Sequence, residues 1–277
     1  MRSDLVVIKL GGASLLDPNT QAEVINAIRE YRKYDYDVVL VHGGGPAINA
    51  ELTKQNISWS FVNGQRVTTP EMISVIHDVL FNTVNADLVN RLADADIPAI
   101  GLSGAKNNLL FCSQANPELG LVGQVDMVST DKINNILEQN FVPVIAPIGL
   151  GVSGELYNIN ADWAAAKIAA ALKATKLIFL TDQNGILDTD QNLIEFADHE
   201  TLQRLLKTET VSGGMYTKVL TVVDALNNGV SQVRILRGIQ ACDGLWSDEV
   251  GTMCTLTQAL APNHFFNENN TEELLSC

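Results

Sequence analysis

The chain has 277 residues, 46% of them hydrophobic, which suffices for a large α/β core or two lobes on one sheet and excludes a disordered polymer. Its formal net charge of −14 argues against nucleic acid or an anionic membrane surface as a general partner. Only 18 residues are Lys or Arg, so a lysine set within an apolar run stands out.

In chain order, strand-like apolar runs fall at Leu5–Leu10, Val38–Val41, Ile97–Leu102, Val142–Ile148, Leu177–Leu180 and Val233–Leu236. Helical patterns lie between them, at 20–33, 46–55, 71–95, 130–139, 161–173, 199–207 and 215–228. Near-continuous apolar strands alternating with helices predict an α/β three-layer sandwich around a mostly parallel sheet. Ligands of such sheets bind beyond the carboxyl ends of the strands. Here those ends read "KLGGAS", "HGGGP", "GLSGAKNN", "GLGVSG" and "TDQNG", which suggests one site assembled from several loops. The segment after Pro262, "NHFFNENNTEELLSC", reads as an appended polar tail.

The N-terminal "MRSDLVVIKLGG" has Asp4 and Lys9 around its apolar part and no small-residue cleavage site, unlike a signal peptide. The longest uncharged run, 139–154, is broken by proline and glycine and is too short to span a bilayer. Cys112, Cys242, Cys254 and Cys277 form no C-x-x-C pair, which argues against a zinc site and fits a reducing cytoplasm.

The glycine loops admit three chemistries. "HGGG" after a strand matches an esterase oxyanion hole, but G-x-S-x-G is missing; "GLSGA" and "GVSGE" are near misses. Gly149, Gly151 and Gly154 satisfy G-x-G-x-x-G, but "ELYNIN", an extended segment, follows where a dinucleotide fold needs a helix. The third is phosphoryl transfer without a Walker loop, since G-x-x-x-x-G-K-[ST] is absent. Backbone N–H groups of Gly11-Gly12 and Gly43-Gly44-Gly45 would form anion nests at two adjacent strand ends. Lys9 inside "VVIKLGG" needs an anionic partner if buried; an edge-strand lysine reaching water is the plain alternative.

"IKLGG", "VHGGGPAIN", "FVNGQRVT", "NINADWAA", "LTDQNGILD" and "GGMYTK" occur in the order and spacing of the amino-acid kinase family. Over residues 5 to 260 the chain most resembles the branch that phosphorylates the side-chain carboxylate of N-acetyl-L-glutamate. The resemblance implies Lys9 and Lys218 as phosphate-contacting lysines and Asp162 as the carboxylate holding both. It implies Arg66, Asn158, Gly44 and Gly45 on the acyl amino acid. Gly11, Gly12, Thr181, Asp182, Gly185, Gly213 and Gly214 would serve phosphate and nucleotide. No protein-held metal is implied; ATP would bring Mg2+ on its phosphates. A cytoplasmic homodimer is expected, because only four residues precede the first strand, where arginine-inhibited hexameric members carry an extra helix.

By the same resemblance, residues 1–173 form a lobe for substrate binding and dimerisation, 174–262 a lobe for ATP, and 263–277 a tail. A carboxylate acceptor is already ionised, so the chemistry needs charge neutralisation and positioning more than a base. The plain readings stand beside these: Asp162 as a first-turn helix acid, Lys218 as a solvated helix lysine, Arg66 as a surface residue, "TDQNG" as a turn. The chain departs from the family pattern at Gln65, at Lys106 in "GLSGAKNN" and at Arg237 in "RILRGI". "SDEVGTM" resembles the stretch near the arginine site of inhibited members.

Overall fold

The computed structural model describes residues 4–12, 15, 17–62, 64–241 and 250–257. The proposed tail, 263–277, and the "SDE" of "SDEVGTM" lie outside the described residues. The amino-terminal part runs β1 (Leu5–Leu10), α1 (Pro18–Lys33), β2 (Asp37–His42) and α2 (Gly45–Lys54). The two-residue strands β3 (Phe61–Val62) and β4 (Gln65–Arg66) then pair as a ribbon. A long helix follows, made of α3 (Pro70–Asp78), a π-helical stretch (Val79–Asn85) and α4 (Ala86–Asp94). Next come β5 (Ala99–Ser103), β6 (Leu110–Gln114), β7 (Gly123–Val128), α5 (Asp131–Glu138), β8 (Val142–Ala146), β9 (Ile148–Leu150) and β10 (Leu156–Asn158). The chain continues through α6 (Ala161–Leu172), β11 (Lys176–Thr181), β12 (Phe196–Asp198), α7 (His199–Lys207), α8 (Gly213–Asn227), β13 (Gln232–Arg237) and β14 (Thr252–Thr255).

One eight-stranded sheet, ordered β12-β14-β13-β11-β1-β2-β8-β5, organises the described chain. Every pairing in it is parallel except β13 with β14. Side chains alternate across each strand and sort into two cores. Val7, Val39, Val41, Leu177 and Phe179 face α6 and α8, whereas Val6, Ile8, Val38, Leu40 and Ile178 face α1 and α4. This is the three-layer arrangement that the sequence predicts.

Lys9 follows Leu5 and Val7 on the face turned to α6, in register with Val41 and Phe179. β1 therefore delivers a charged group into an apolar layer, at the carboxyl end of the central strand. The predicted run Val142–Ile148 divides at Pro147: β8 stays in the main sheet, while β9 joins β10, β6 and β7 in a smaller sheet. Proline has no N–H for a ladder, so the chain changes sheets there.

Candidate active site

Asp162 occupies the first turn of α6. Asn160 caps that helix, its side-chain oxygen accepting from the N–H groups of Asp162 (2.9 Å) and Trp163 (3.3 Å). The cap holds the first turn against the end of β1, where Asp162 meets Lys9 from the strand and Lys218 from the second turn of α8. Lys9 Nζ lies 2.7 Å from Asp162 Oδ1, and Lys218 Nζ lies 2.7 Å from Oδ2. All three side chains are buried. Burial alone would raise the Asp162 carboxyl, but the two ammonium groups outweigh it and hold the group down at about 2. Burial pushes Lys218 below the ordinary lysine value; Asp162 pulls it back up and Lys9 pushes it further down. Two buried cations share one buried anion, so the triad itself is net positive and suits an arriving anion, although the exposed Asp182 also acts on Lys218 from the cavity wall.

Asp162 lines two cavities. The first, about 360 Å³, contains Lys9, Gly12, Gly44, Gly45, Arg66 and Asn158. The second, about 500 Å³, contains Lys218, Thr181, Asp182, Gly185 and Gly214. The sequence candidates thus separate into two groups on either side of one carboxylate.

In the Lys9 cavity, Arg66 Nη2 donates to Asn49 Oδ1 and to the Gly45 carbonyl (3.4 Å). Its guanidinium carbon lies 4.7 Å from the Phe61 ring centre and 5.4 Å from that of Trp59. Arg66 Nη1 is buried and has no hydrogen-bond partner among the described residues. A buried guanidinium with one arm tethered and the other free suits a bidentate or bridging carboxylate. Asn158 Nδ2 donates to Thr68 Oγ1 (3.1 Å), which leaves its amide oxygen for a donor.

The glycines divide by cause. A Cβ on Gly12 would come 2.9 Å from Pro46 Cδ, and one on Gly44 would come 2.5 Å from Leu80 Cδ2. These two are bare because the loop ends pack on each other and on the π-helical stretch. A Cβ on Gly45 would meet nothing within 4 Å, since that side is open cavity. Among the described residues, the N–H groups of Gly12, Gly44 and Gly45 reach no acceptor. The expectation that Gly11 offers its N–H to phosphate is corrected: that group donates to the Leu180 carbonyl (3.0 Å), as a continuation of the β1–β11 ladder.

On the Lys218 side, Thr181 Oγ1 donates to Asp182 Oδ1 (3.0 Å) at the end of β11. Gly185 is buried, with Leu193 and Thr252 within 2.6 Å of a would-be Cβ. Gly214 lines the cavity at the start of α8; Gly213 precedes it at φ +53° and is not part of the lining. The glycines of "GLGVSG" lie on the β9–β10 hairpin, where the Gly151 N–H donates to the Glu155 carbonyl (2.8 Å). That disposes of the dinucleotide pattern.

Sequence reasoning missed Asn160, Asn49 and the aromatic pair Trp59 and Phe61. The Asn-x-Asp spacing at a helix start was the available signal for Asn160. Asn49 closes the quoted motif "VHGGGPAIN", but nothing local in that motif ties it to Arg66, 17 residues on.

The amino acid kinase family model matches residues 4–237. The acetylglutamate kinase of Geobacillus thermodenitrificans is 42% identical over 237 residues, covering 84% of this chain and 90% of that one. That of Ruegeria pomeroyi is 40% identical over 234 residues, covering 84% and 82%. That of Bacillus cereus is 38% identical over 259 residues, covering 94% and 100%. Among solved structures, smu.665 from Streptococcus mutans is 26% identical, with a TM-score of 0.78 over 93% of this chain and all of the other. Carbamate kinase from Giardia lamblia, 19% identical, shares the fold with a TM-score of 0.65 over 92% and 99%.

Proposed function

The chain belongs to the amino acid kinase family, and from that premise we propose that it phosphorylates the side-chain carboxylate of N-acetyl-L-glutamate with ATP, a step of arginine biosynthesis. The observation that carries this reading is the Lys9–Asp162–Lys218 bridge, with a cavity on each side. The acceptor enters the Lys9 cavity, where the free arm of Arg66 takes its α-carboxylate and Asn158 its backbone end. ATP enters the Lys218 cavity between the end of β11 and the start of α8, in contact with Thr181, Asp182, Gly185 and Gly214, while Gly213 shapes the turn into α8.

A side-chain carboxylate oxygen then attacks the γ-phosphorus. The new O–P bond forms as the bond to the β,γ-bridging oxygen breaks, giving N-acetylglutamyl phosphate and ADP. Both reactants are anions, so the barrier is largely electrostatic. Lys9 meets the charge from the acceptor side and Lys218 from the donor side. Gly12, Gly44 and Gly45 add backbone N–H groups. Asp162 takes no proton; it keeps two like charges close together and aimed.

Each carboxylate oxygen of Asp162 faces a lysine ammonium at 2.7 Å, and among the described residues no group of three or more His, Cys, Asp or Glu could hold a metal. The donor set fits Mg2+ carried on ATP phosphates, where it would neutralise phosphate charge. The reading extends to a substrate lobe over 1–173 and a nucleotide lobe over 174–262. It includes a cytoplasmic homodimer formed through the first lobe. No described helix is long and apolar enough to cross a membrane.

The test is incubation with ATP, Mg2+ and a panel of acylated amino acids, with hydroxylamine to trap acyl phosphates. Hydroxamate from N-acetylglutamate is the expected result. Hydroxamate only from a longer acceptor, such as an aminoadipate derivative, would move the substrate. Nucleotide binding without any hydroxamate would make the chain a sensor.

A further inference from the structure

His42 is fully buried, ends β2, and lines neither cavity. It shares a strand face with Val38 and Leu40, opposite the face of Lys9 and Val41, so its ring stands behind the glycine loop rather than in the site. Its Nδ1 lies 2.8 Å from the Gly43 carbonyl oxygen, and its Nε2 lies 3.0 Å from Asn85 Nδ2. Asn85 Nδ2 also donates to the Val144 carbonyl (2.9 Å), which identifies that atom as the amide nitrogen. With Asn85 as donor, His42 Nε2 must accept. The imidazole then carries its proton on Nδ1 and donates it to Gly43.

The Gly43 carbonyl and the Gly44 N–H belong to one planar trans peptide and point in opposite directions. A bond that draws the carbonyl towards the rear face therefore aims the Gly44 N–H forward. Leu80, from the π-helical stretch, fills the space a side chain on Gly44 would take, and Val84 lies 3.6 Å from the same point. Asn85 ends that stretch, and its Oδ1 would lie 2.2 Å from a Cβ on Gly101, so the carboxamide sits over a bare strand residue. π turns are uncommon and cluster at functional sites. Here one turn supplies both the wall behind Gly44 and the donor that sets the His42 tautomer.

We propose that His42 and Asn85 are positioning residues for the transfer, pinning the Gly43–Gly44 peptide so that the Gly44 N–H faces the transferred phosphoryl group. The inference rests on the kinase reading above. It acts through orientation, so it belongs to turnover more than to binding.

The test uses the full chain, Mg-ATP and N-acetylglutamate, and compares wild type, His42→Asn and His42→Gln. An asparagine amide can stand near the imidazole Nδ1 and donate to Gly43; a glutamine amide reaches the Nε2 position and meets Asn85 instead. His42→Gln is expected to lose roughly 10- to 100-fold in kcat, with both KM values within about threefold. His42→Asn should stay within about fivefold of wild-type kcat. Equal losses in the two variants, or no loss in either, would overturn the proposal. A ring 15N spectrum of the wild type is independent of variant folding: it should show a protonated Nδ1 and a bare Nε2, and the reverse tautomer would overturn the proposal. Absence of wild-type turnover would instead count against the kinase reading, while the spectrum still judges the peptide geometry.

Discussion

The Lys9 cavity is walled by close-packed backbone. A Cβ on Gly12 would strike Pro46 and one on Gly44 would strike Leu80, and Arg66 is clamped by Asn49 and two aromatic rings. The Lys218 cavity is larger and bordered by turns, with Asp182, Gln183 and Ser212 to Gly214 exposed. A Cβ on Gly214 would meet nothing, whereas one on Gly44 would strike a side chain. The difference suits the two ligands: a small acceptor must be selected and aimed by its walls, while a nucleotide brings most of its own contacts. Among the described residues, the one side chain that lines both cavities is Asp162.

The largest effect should come from removing that common group. Asp162→Asn leaves two buried ammonium groups facing each other without an anion, and kcat should fall at least about 100-fold, measured by hydroxamate formation. A variant confined to one ligand's KM would break the idea of a shared centre.

Acid stability should sharpen the contrast next. His42 is pushed down to about 4 by burial, against the opposing pull of its bond to Gly43. Unfolded, it titrates near 6.5, so as pH falls the unfolded chain takes up its proton first. The stabilising contribution is complete above about pH 6.5 and is lost as pH falls towards 4, by about 3 kcal/mol. The Asp162 contribution occupies a lower window, present above the ordinary aspartate value and lost as pH falls through about 2. Urea midpoints at pH 7 and pH 4.5 should differ less in His42→Asn than in wild type.

Arg66→Lys keeps a charge but cannot both hold Asn49 and reach a carboxylate. The KM for N-acetylglutamate should rise roughly 10- to 50-fold with the KM for ATP unchanged, as fits a charged hydrogen bond of about 2 kcal/mol. A matching rise for ATP would show that the cavities are not separate.

The smallest effects concern the glycines. Gly44→Ala should cost about 1–3 kcal/mol by overpacking against Leu80. Gly45→Ala and Gly214→Ala, with open space at the Cβ, should leave the melting temperature in place. Thermal denaturation of the three variants checks the ranking.

The sheet and the site were unequally legible in the sequence. β1 was readable to the residue, because six apolar-to-lysine positions end in Gly-Gly. The helix over 71–95 was readable as one element, but the π turn inside it was not, since a 3.6-residue apolar pattern looks the same across it. The β6–β7 pair and the short β12 and β14 escaped notice, and of the β9–β10 hairpin only the extended "ELYNIN" was read. β9, β10, β12 and β14 have only three or four residues each, and β6 and β7 interleave polar residues such as Ser113, Gln114, Gln124 and Asp126 with apolar ones, so none makes an apolar run. The Lys9–Asp162–Lys218 juxtaposition joins residues 153 and 56 positions apart, so only the motif resemblance, not any local pattern, could bring them together. The Gly11 donor was misjudged because the length of the β1–β11 ladder cannot be read from "KLGG" alone.

The central claim is that one carboxylate holds two ammonium groups, one for each cavity, and that both act on the transfer. It is tested most directly by turnover and ligand affinity of Lys9→Ala and Lys218→Ala side by side. Each should lose about 100-fold or more in kcat, while ATP still binds Lys9→Ala and N-acetylglutamate still binds Lys218→Ala within about fivefold of wild type. Near-wild-type turnover in either variant would contradict the account.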